Sequence, residues 1–176
     1  MAKRTKIIFV VNPISGTSDK KHIIDLIPKY MNDVCFEWAI RMTEYRGHAA
    51  KLVNEAIEEN ADVVVAVGGD GTVNEVVAGL YITGSKMPMA IMPSGTTNDF
   101  ATSVGIVPTV IGLYYLIKDF NVVPTDIGCF NEKDYFLNVA AGGILSEVAH
   151  NVSIESKTML GKTAYITSGM KTIAEK

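Results

Sequence analysis

Cysteine is scarce: the 176-residue chain has two, Cys35 and Cys129, far apart and in apolar surroundings. That excludes a scaffold built on disulfides and reads as buried free thiols, which suits a cytoplasmic protein. Long hydrophobic runs are missing as well. No apolar stretch approaches the ~18–20 residues that a membrane-spanning helix needs, so no transmembrane segment is expected. Strong charge of either sign is missing: a formal net charge of -3 gives no bulk attraction to nucleic acid. The first six residues include three basic ones (Lys3, Arg4 and Lys6) but no separate apolar core and cleavage site, which excludes a secretory signal as their reading. Repeats and low-complexity tracts are absent too. What is left is an ordinary globular composition, 48% hydrophobic and 20% charged, long enough for one full domain and part of another.

The chain is organised around residues 63–75, where five apolar, mostly β-branched residues run into Gly68-Gly69-Asp70-Gly71. A continuous apolar run of that kind is a buried strand of a parallel sheet. From Thr72 to Leu80 the spacing turns helical, with Val73, Val76, Val77 and Leu80 on one face. Residues 68–71 are therefore a strand-to-helix turn at the carboxyl end of a strand, where open α/β sheets bind ligands. The glycines suit positive φ and close approach of a ligand. The helix-start amides favour an anion, most simply a phosphate. Asp70 would repel a bare phosphate, a conflict that Mg²⁺ between or near them removes.

Before this turn, residues 7–11 read as the first buried strand, ending in the irregular loop Asn12-Pro13-Ile14-Ser15-Gly16. Ser18-Asp19 can cap a helix to about Met31, which Pro28 should kink or shorten. Residues 34–42 are a second strand, followed by a loop from Thr43 and a helix with Ala49, Leu52, Val53, Ala56 and Ile57 inward. His48, at that helix start, reads as a structural cap or surface residue. After the glycine turn come a strand at 87–92, a loop and helix start from Pro93 to Phe100, and a core helix over 108–120. The alternation predicts a three-layer α/β domain with a parallel sheet, whose right-handed crossovers bring the loops at Asn12, Thr43, Gly68 and Pro93 to one rim. Residues 122–130 and 135–141 read as a hairpin, so residues 1–122 are expected to form the α/β domain and 123–176 the opening of a β-rich second domain. Helices are expected at 144–152 and 158–173, too little for an independent core.

Two familiar motifs fail. Gly161-Lys162-Thr163 lacks the earlier P-loop glycine, because Ser156 stands there, and Asn74 leaves the dinucleotide fingerprint incomplete. Three others occur together and in order: Asn12-Pro13-x-Ser15-Gly16, Gly68-Gly69-Asp70-Gly71-Thr72-x-Asn74-Glu75, and Pro93-x-Gly95-Thr96-x-Asn98-Asp99-Phe100-Ala101. Together they resemble the catalytic domain of the diacylglycerol kinase family, which includes bacterial soluble lipid kinases and sphingosine kinases. The resemblance extends to Asp126-x-Gly128 and Phe136-x-Asn138. The Gly-Gly-Asp-Gly element alone is shared with NAD kinases and phosphofructokinases.

The resemblance implies a two-domain, ATP-dependent lipid kinase of NAD kinase/phosphofructokinase-like fold, with ATP and Mg²⁺ in its cleft. It implies that Asn12, Pro13, Ile14, Ser15, Gly16, Thr43, Gly69, Asp70, Gly71, Thr72, Val73, Asn74, Glu75 and Thr96 surround the nucleotide. Asp70, assigned the catalytic role within this chain, joins Asp99 and Asp126 at acidic positions linked through Mg²⁺ and water. The family's general base lies late in the second domain, past Lys176, so the chain reads as a fragment that is inactive alone. The acceptor implied is a lipid at a membrane surface, with diacylglycerol first in line, handled by a cytoplasmic, peripheral protein. A homodimer is a further partner to test. The alternatives are an NAD kinase-like phosphotransferase and a nucleotide-binding module without catalysis.

Overall fold

Runs of β-branched residues favour extended backbone, and those of this chain form the strands of a parallel sheet. The computed structural model describes residues 3–16, 20–131 and 134–137. In chain order the elements are β1 (Thr5–Val11), α1 (Lys20–Met31), β2 (Phe36–Met42), α2 (His48–Glu58), β3 (Val63–Gly68) and α3 (Asp70–Ile82). They continue with β4 (Met89–Pro93), α4 (Asp99–Ser103), α5 (Val110–Asp119), β5 (Gly128–Phe130) and β6 (Asp134–Phe136). The predicted cap at Ser18-Asp19, the helices at 144–152 and 158–173, and Asn138 lie outside the described residues.

Strand order is β2-β1-β3-β4, all parallel. Residues 7–11 of β1 and all of β3 are buried, because both strands are central and covered on both faces. On one face Ile7, Phe9, Val11, Val65 and Val67 pack with Ile23, Ile27 and Met31 of α1 and Val110, Leu113 and Ile117 of α5. On the other face Ile8, Val10, Val64 and Ala66 pack with Ala49, Leu52 and Val53 of α2 and Val73, Val76 and Val77 of α3. This is the expected three-layer α/β arrangement. Each Val, Leu, Ile, Phe or Met side chain buried there contributes about 1.5–3 kcal/mol by its removal from water.

Several expectations change. Pro28 does not shorten α1, which runs to Met31. Proline removes one donor, yet the Asn32 amide still donates to the Pro28 carbonyl at 3.2 Å, and Ile27 and Met31 anchor the last turn in the core. Cys35 and Cys129 are free thiols as expected, but both are exposed rather than buried. Cys35 sits in the turn before β2, where its amide bonds the Asp33 carboxylate, and Cys129 sits in a two-stranded ribbon. The strand predicted over 122–130 is confined to Gly128–Phe130; Val122 and Val123 are exposed and pair with no strand. β5 and β6 pair antiparallel as a separate sheet. The ribbon is tied back to the α/β layer by Ile127 and Leu137, which pack against the α2–α3 side of the core.

Candidate functional site

Parallel register brings the carboxyl ends of the strands level, with Val11 opposite both Met42 and Val67, and Gly68 opposite Pro93. The loops then begin by extending the ladder. Thr43 N–H donates to the Val11 carbonyl at 2.8 Å, Asn12 N–H to Val67 at 2.9 Å and Ser94 N–H to Gly68 at 2.8 Å. Residues 12–16, the loop from Thr43, the glycine turn and the loop after Pro93 therefore share one rim, as the alternation of elements predicts. In this strand order the chain reverses direction across the sheet between β1 and β3. That switch point is where open α/β sheets hold ligands.

The glycine turn is tighter than expected. Gly69, extended at φ -93° and ψ -173°, alone separates β3 from α3, which starts at Asp70 rather than Thr72. Among the rim glycines, positive φ belongs to Gly16 (φ +68°) and Gly47 (φ +85°) and not to Gly68, Gly69 or Gly71, so the expected conformational reason is corrected for the glycine turn. Its real reason is contact. A Cβ on Gly68 would strike Thr72, and one on Gly69 would stand 3.1 Å from the Gly95 Cα. A Cβ on Gly16 would stand 2.5 Å from the Ser94 carbonyl oxygen. Gly71 differs: a Cβ there meets nothing within 4 Å, and it lies exposed in the first turn of α3. The opening amides of that helix have no partner within it. They are the donors an anion would use.

Polar side chains lock the rim together. Asn12 Nδ2 donates to Thr72 Oγ1 at 3.1 Å, while its Oδ1 accepts from the Ile14 amide at 3.1 Å. Ser15 Oγ donates to the Asn12 carbonyl at 3.2 Å. Pro13 and Ile14 are exposed at the tip of this loop; Thr43 and Thr96 are half-buried in theirs. Val73 faces the core. Asn74 Oδ1 accepts from the Leu137 amide at 3.1 Å and so ties α3 to the ribbon. Glu75 accepts from the amides of Gly47 at 2.9 Å and Ala49 at 3.3 Å, capping the start of α2, where Gly47 offers no side chain. His48 is structural, as expected: its Nδ1 accepts from the Glu44 amide and its ring stacks on Tyr45.

Asp70 also caps. Its carboxylate accepts from the Thr97 hydroxyl at 3.1 Å and from the amides of Asp99 at 3.1 Å and Phe100 at 3.3 Å. A carboxylate in the first turn of α3 is thus held to the start of α4, with both helix dipoles favouring its charge. Asp99 is exposed beside it through its backbone, whereas Asp126 is exposed in the segment that follows α5 and borders an apolar groove of about 980 Å³. Among the described residues no three His, Cys, Asp or Glu side chains gather as a metal site. The hydrogen bond from the Asp99 amide brings Asp70 and Asp99 together, and one or two carboxylates with nucleotide phosphates and water are a common Mg²⁺ environment.

Four rim residues were missed as site members. Thr97 holds Asp70, and Asn98 adopts φ +51° so that its side chain bonds both backbone groups of Gly95, at 2.8 and 3.0 Å. Ser94 is buried beneath the loop. Lys20 is buried at the start of α1 and donates to the Ser94 carbonyl; burial lowers its pKa to about 8. The Thr-Asn pair before Asp99 could have signalled a helix start; a lysine opening a helix carries no such signal.

The family profile of the diacylglycerol kinase catalytic domain matches residues 6–130. The chain is 40% identical over 172 residues to a diacylglycerol kinase of Bacillus subtilis, covering 96% of this chain and 55% of that one. It is 34% identical over 176 residues to a diacylglycerol kinase of Staphylococcus aureus, covering 99% and 55%. A crystal structure of a diacylglycerol kinase from Bacillus anthracis superposes with a TM-score of 0.67 at 31% identity, over 78% of this chain and 50% of that one. The chain thus spans about half the length of the curated relatives it matches. By its fold, its rim and these matches, the chain belongs to the diacylglycerol kinase catalytic domain family.

Proposed function

We propose that this chain carries the nucleotide-binding part of an ATP-dependent lipid kinase, and that the rim at the β1/β3 switch point seats the phosphates of ATP. The observation that carries this reading is the convergence of residues 12–16, 68–75 and 93–100 on one rim, with the open first turn of α3 at its centre. The nucleotide set is residues 12–16, Thr43, Gly69 to Glu75 and Thr96. Asp70 and Asp99, with Asp126, would face Mg²⁺ through water, and the ion would offset phosphate charge when bound. In the reaction a lipid hydroxyl oxygen bonds to the γ-phosphorus, the bond to the β-phosphate oxygen breaks, ADP leaves, and a base takes the hydroxyl proton. Such transfer depends mainly on positioning and charge neutralisation, which backbone amides and a rigid rim supply.

The base is placed in the part of the relatives that this chain does not span, with residues 123–176 as the opening of a second, lipid-facing domain. Diacylglycerol is the proposed acceptor, met at a membrane surface; no helix among the described residues is long and apolar enough to cross one. The test is titration of the chain with ATP, with and without Mg²⁺, followed by turnover of a full-length version with diacylglycerol micelles. Mg²⁺-dependent binding with turnover supports the reading. Phosphorylation of NAD instead of lipid, or binding without any turnover, replaces it.

A further inference from the structure

Lys20 is a charged side chain only 5% exposed. Burying an ammonium is costly unless it is paired or hydrogen-bonded. Its Nζ donates to the Ser94 carbonyl, the oxygen against which Gly16 packs. Lys20, Ser94 and the 12–16 turn are therefore one packed corner directly beneath the rim. Ser94, 4% exposed, holds a buried hydroxyl with no hydrogen-bond partner. A polar corner left incompletely satisfied in the interior calls for a functional reason. The rim itself supplies one. Residues 12–16, 68–75 and 93–100 contain no Lys or Arg but include Asp70, Glu75 and Asp99, and the fourth rim loop, from Thr43, carries one cation, the exposed Arg46. A polyphosphate seated there meets acidic side chains, and a buried cation adds to the solvent-screened charge of Arg46.

We propose that Lys20 is a positioning residue for nucleotide phosphate: its ammonium pins the 94–95 backbone under the 12–16 turn and fixes a positive charge beneath the rim. This rests on the nucleotide reading above. With a pKa near 8 the group is mainly protonated at neutral pH, and a charge away from water acts on a nearby phosphate more strongly than a solvated one.

The experiment is calorimetric titration of the whole chain with Mg-ATP and, separately, with adenosine, for wild type, K20M, K20Q and K20R. Glutamine keeps an N–H donor, on a side chain one atom shorter, but has no charge, so K20Q carries the test even if K20M does not fold. The expected result is a loss of about tenfold in ATP affinity for K20M and K20Q, the scale of one weak charge interaction. Adenosine affinity should stay within about twofold of wild type, because adenosine has no phosphate to meet the charge, and arginine, which keeps the charge, should restore ATP affinity to within about threefold. Wild-type ATP affinity in K20Q overturns the proposal, as does an equal loss for ATP and adenosine, which marks a structural role. If wild type itself binds no ATP, the nucleotide reading falls and this inference with it.

Discussion

Asp70 shows how one residue can satisfy two demands. A sequence reading takes an acid in a phosphate-type turn as a metal position; the structure shows it capping α4 through two amide hydrogen bonds and holding the Thr97 hydroxyl through a third. Both roles fit one carboxylate, since its two oxygens offer about four acceptor sites. Asp70→Asn keeps the size but removes the charge, and should lower stability by about 1–2 kcal/mol through weakened capping. Mg²⁺-dependent ATP affinity should fall as well, measured by thermal melting and titration with and without Mg²⁺. A variant that loses stability but keeps Mg²⁺-dependent binding would confine Asp70 to capping. Much of the rim was legible residue by residue, because Asn, Ser, Gly and Asp after a strand announce an irregular, amide-rich turn. What they bond to was not legible. Glu75 reaches Gly47, Asn74 reaches Leu137 and Lys20 reaches Ser94, partners 28, 63 and 74 residues away with no local signal.

At the scale of elements, the central strands and main helices could be read directly, because full burial gives continuous apolar runs and one-sided burial gives helical spacing. The ends were less legible, as at α3, where an acid compatible with a helix start was read as turn. Contacts between elements supply two further expectations. Gly79 lets α3 lie close against α2: a Cβ there would stand 3.0 Å from Ala50 backbone atoms and 3.1 Å from the Val53 Cβ. Gly79→Ala gains up to about 1 kcal/mol of helix propensity, but overpacking costs about 1–3 kcal/mol. The net should be a lower melting temperature, whereas an increase would show that α2 and α3 part freely. The second contact joins α5 to the turn before β2. Tyr114 Oη donates to Asp33 at 2.7 Å and Lys118 Nζ lies 3.3 Å from the same carboxylate. The Tyr114 hydroxyl, then the Cys35 amide and Lys118, hold the Asp33 carboxyl well below the usual carboxylate range. A depressed acid stabilises the fold above the unfolded-state pKa of about 4 and loses that contribution as pH falls below it. Tyr114→Phe should therefore melt below wild type at pH 7, with the gap closing in acid. A gap that stays constant from pH 7 to pH 2 would remove the carboxylate from the explanation.

The described residues form an α/β layer followed by a short ribbon, in a chain about half as long as its curated relatives. The three-layer architecture could be read from the alternation of patterns, whereas the strand order and the packing of the ribbon on α3 depend on contacts distant in sequence. If the catalytic base belongs to the rest of the relatives' length, this chain should bind ATP yet phosphorylate diacylglycerol about 10²–10⁴-fold more slowly than a full-length version. Equal turnover by both would place the base within residues 1–176. The central claim, that the open first turn of α3 receives nucleotide phosphate, is tested most directly at Gly71. A Cβ there meets no atom within 4 Å from outside its own turn of helix, so no packed neighbour opposes a side chain in the free chain, while a bound phosphate would. The measurement is calorimetric titration of Gly71→Val with Mg-ATP beside wild type, with melting temperatures for both. The expected result is an unchanged or slightly raised melting temperature with at least a tenfold loss of ATP affinity, about 1.4 kcal/mol. Wild-type affinity in the folded variant would contradict the assignment of this turn to phosphate.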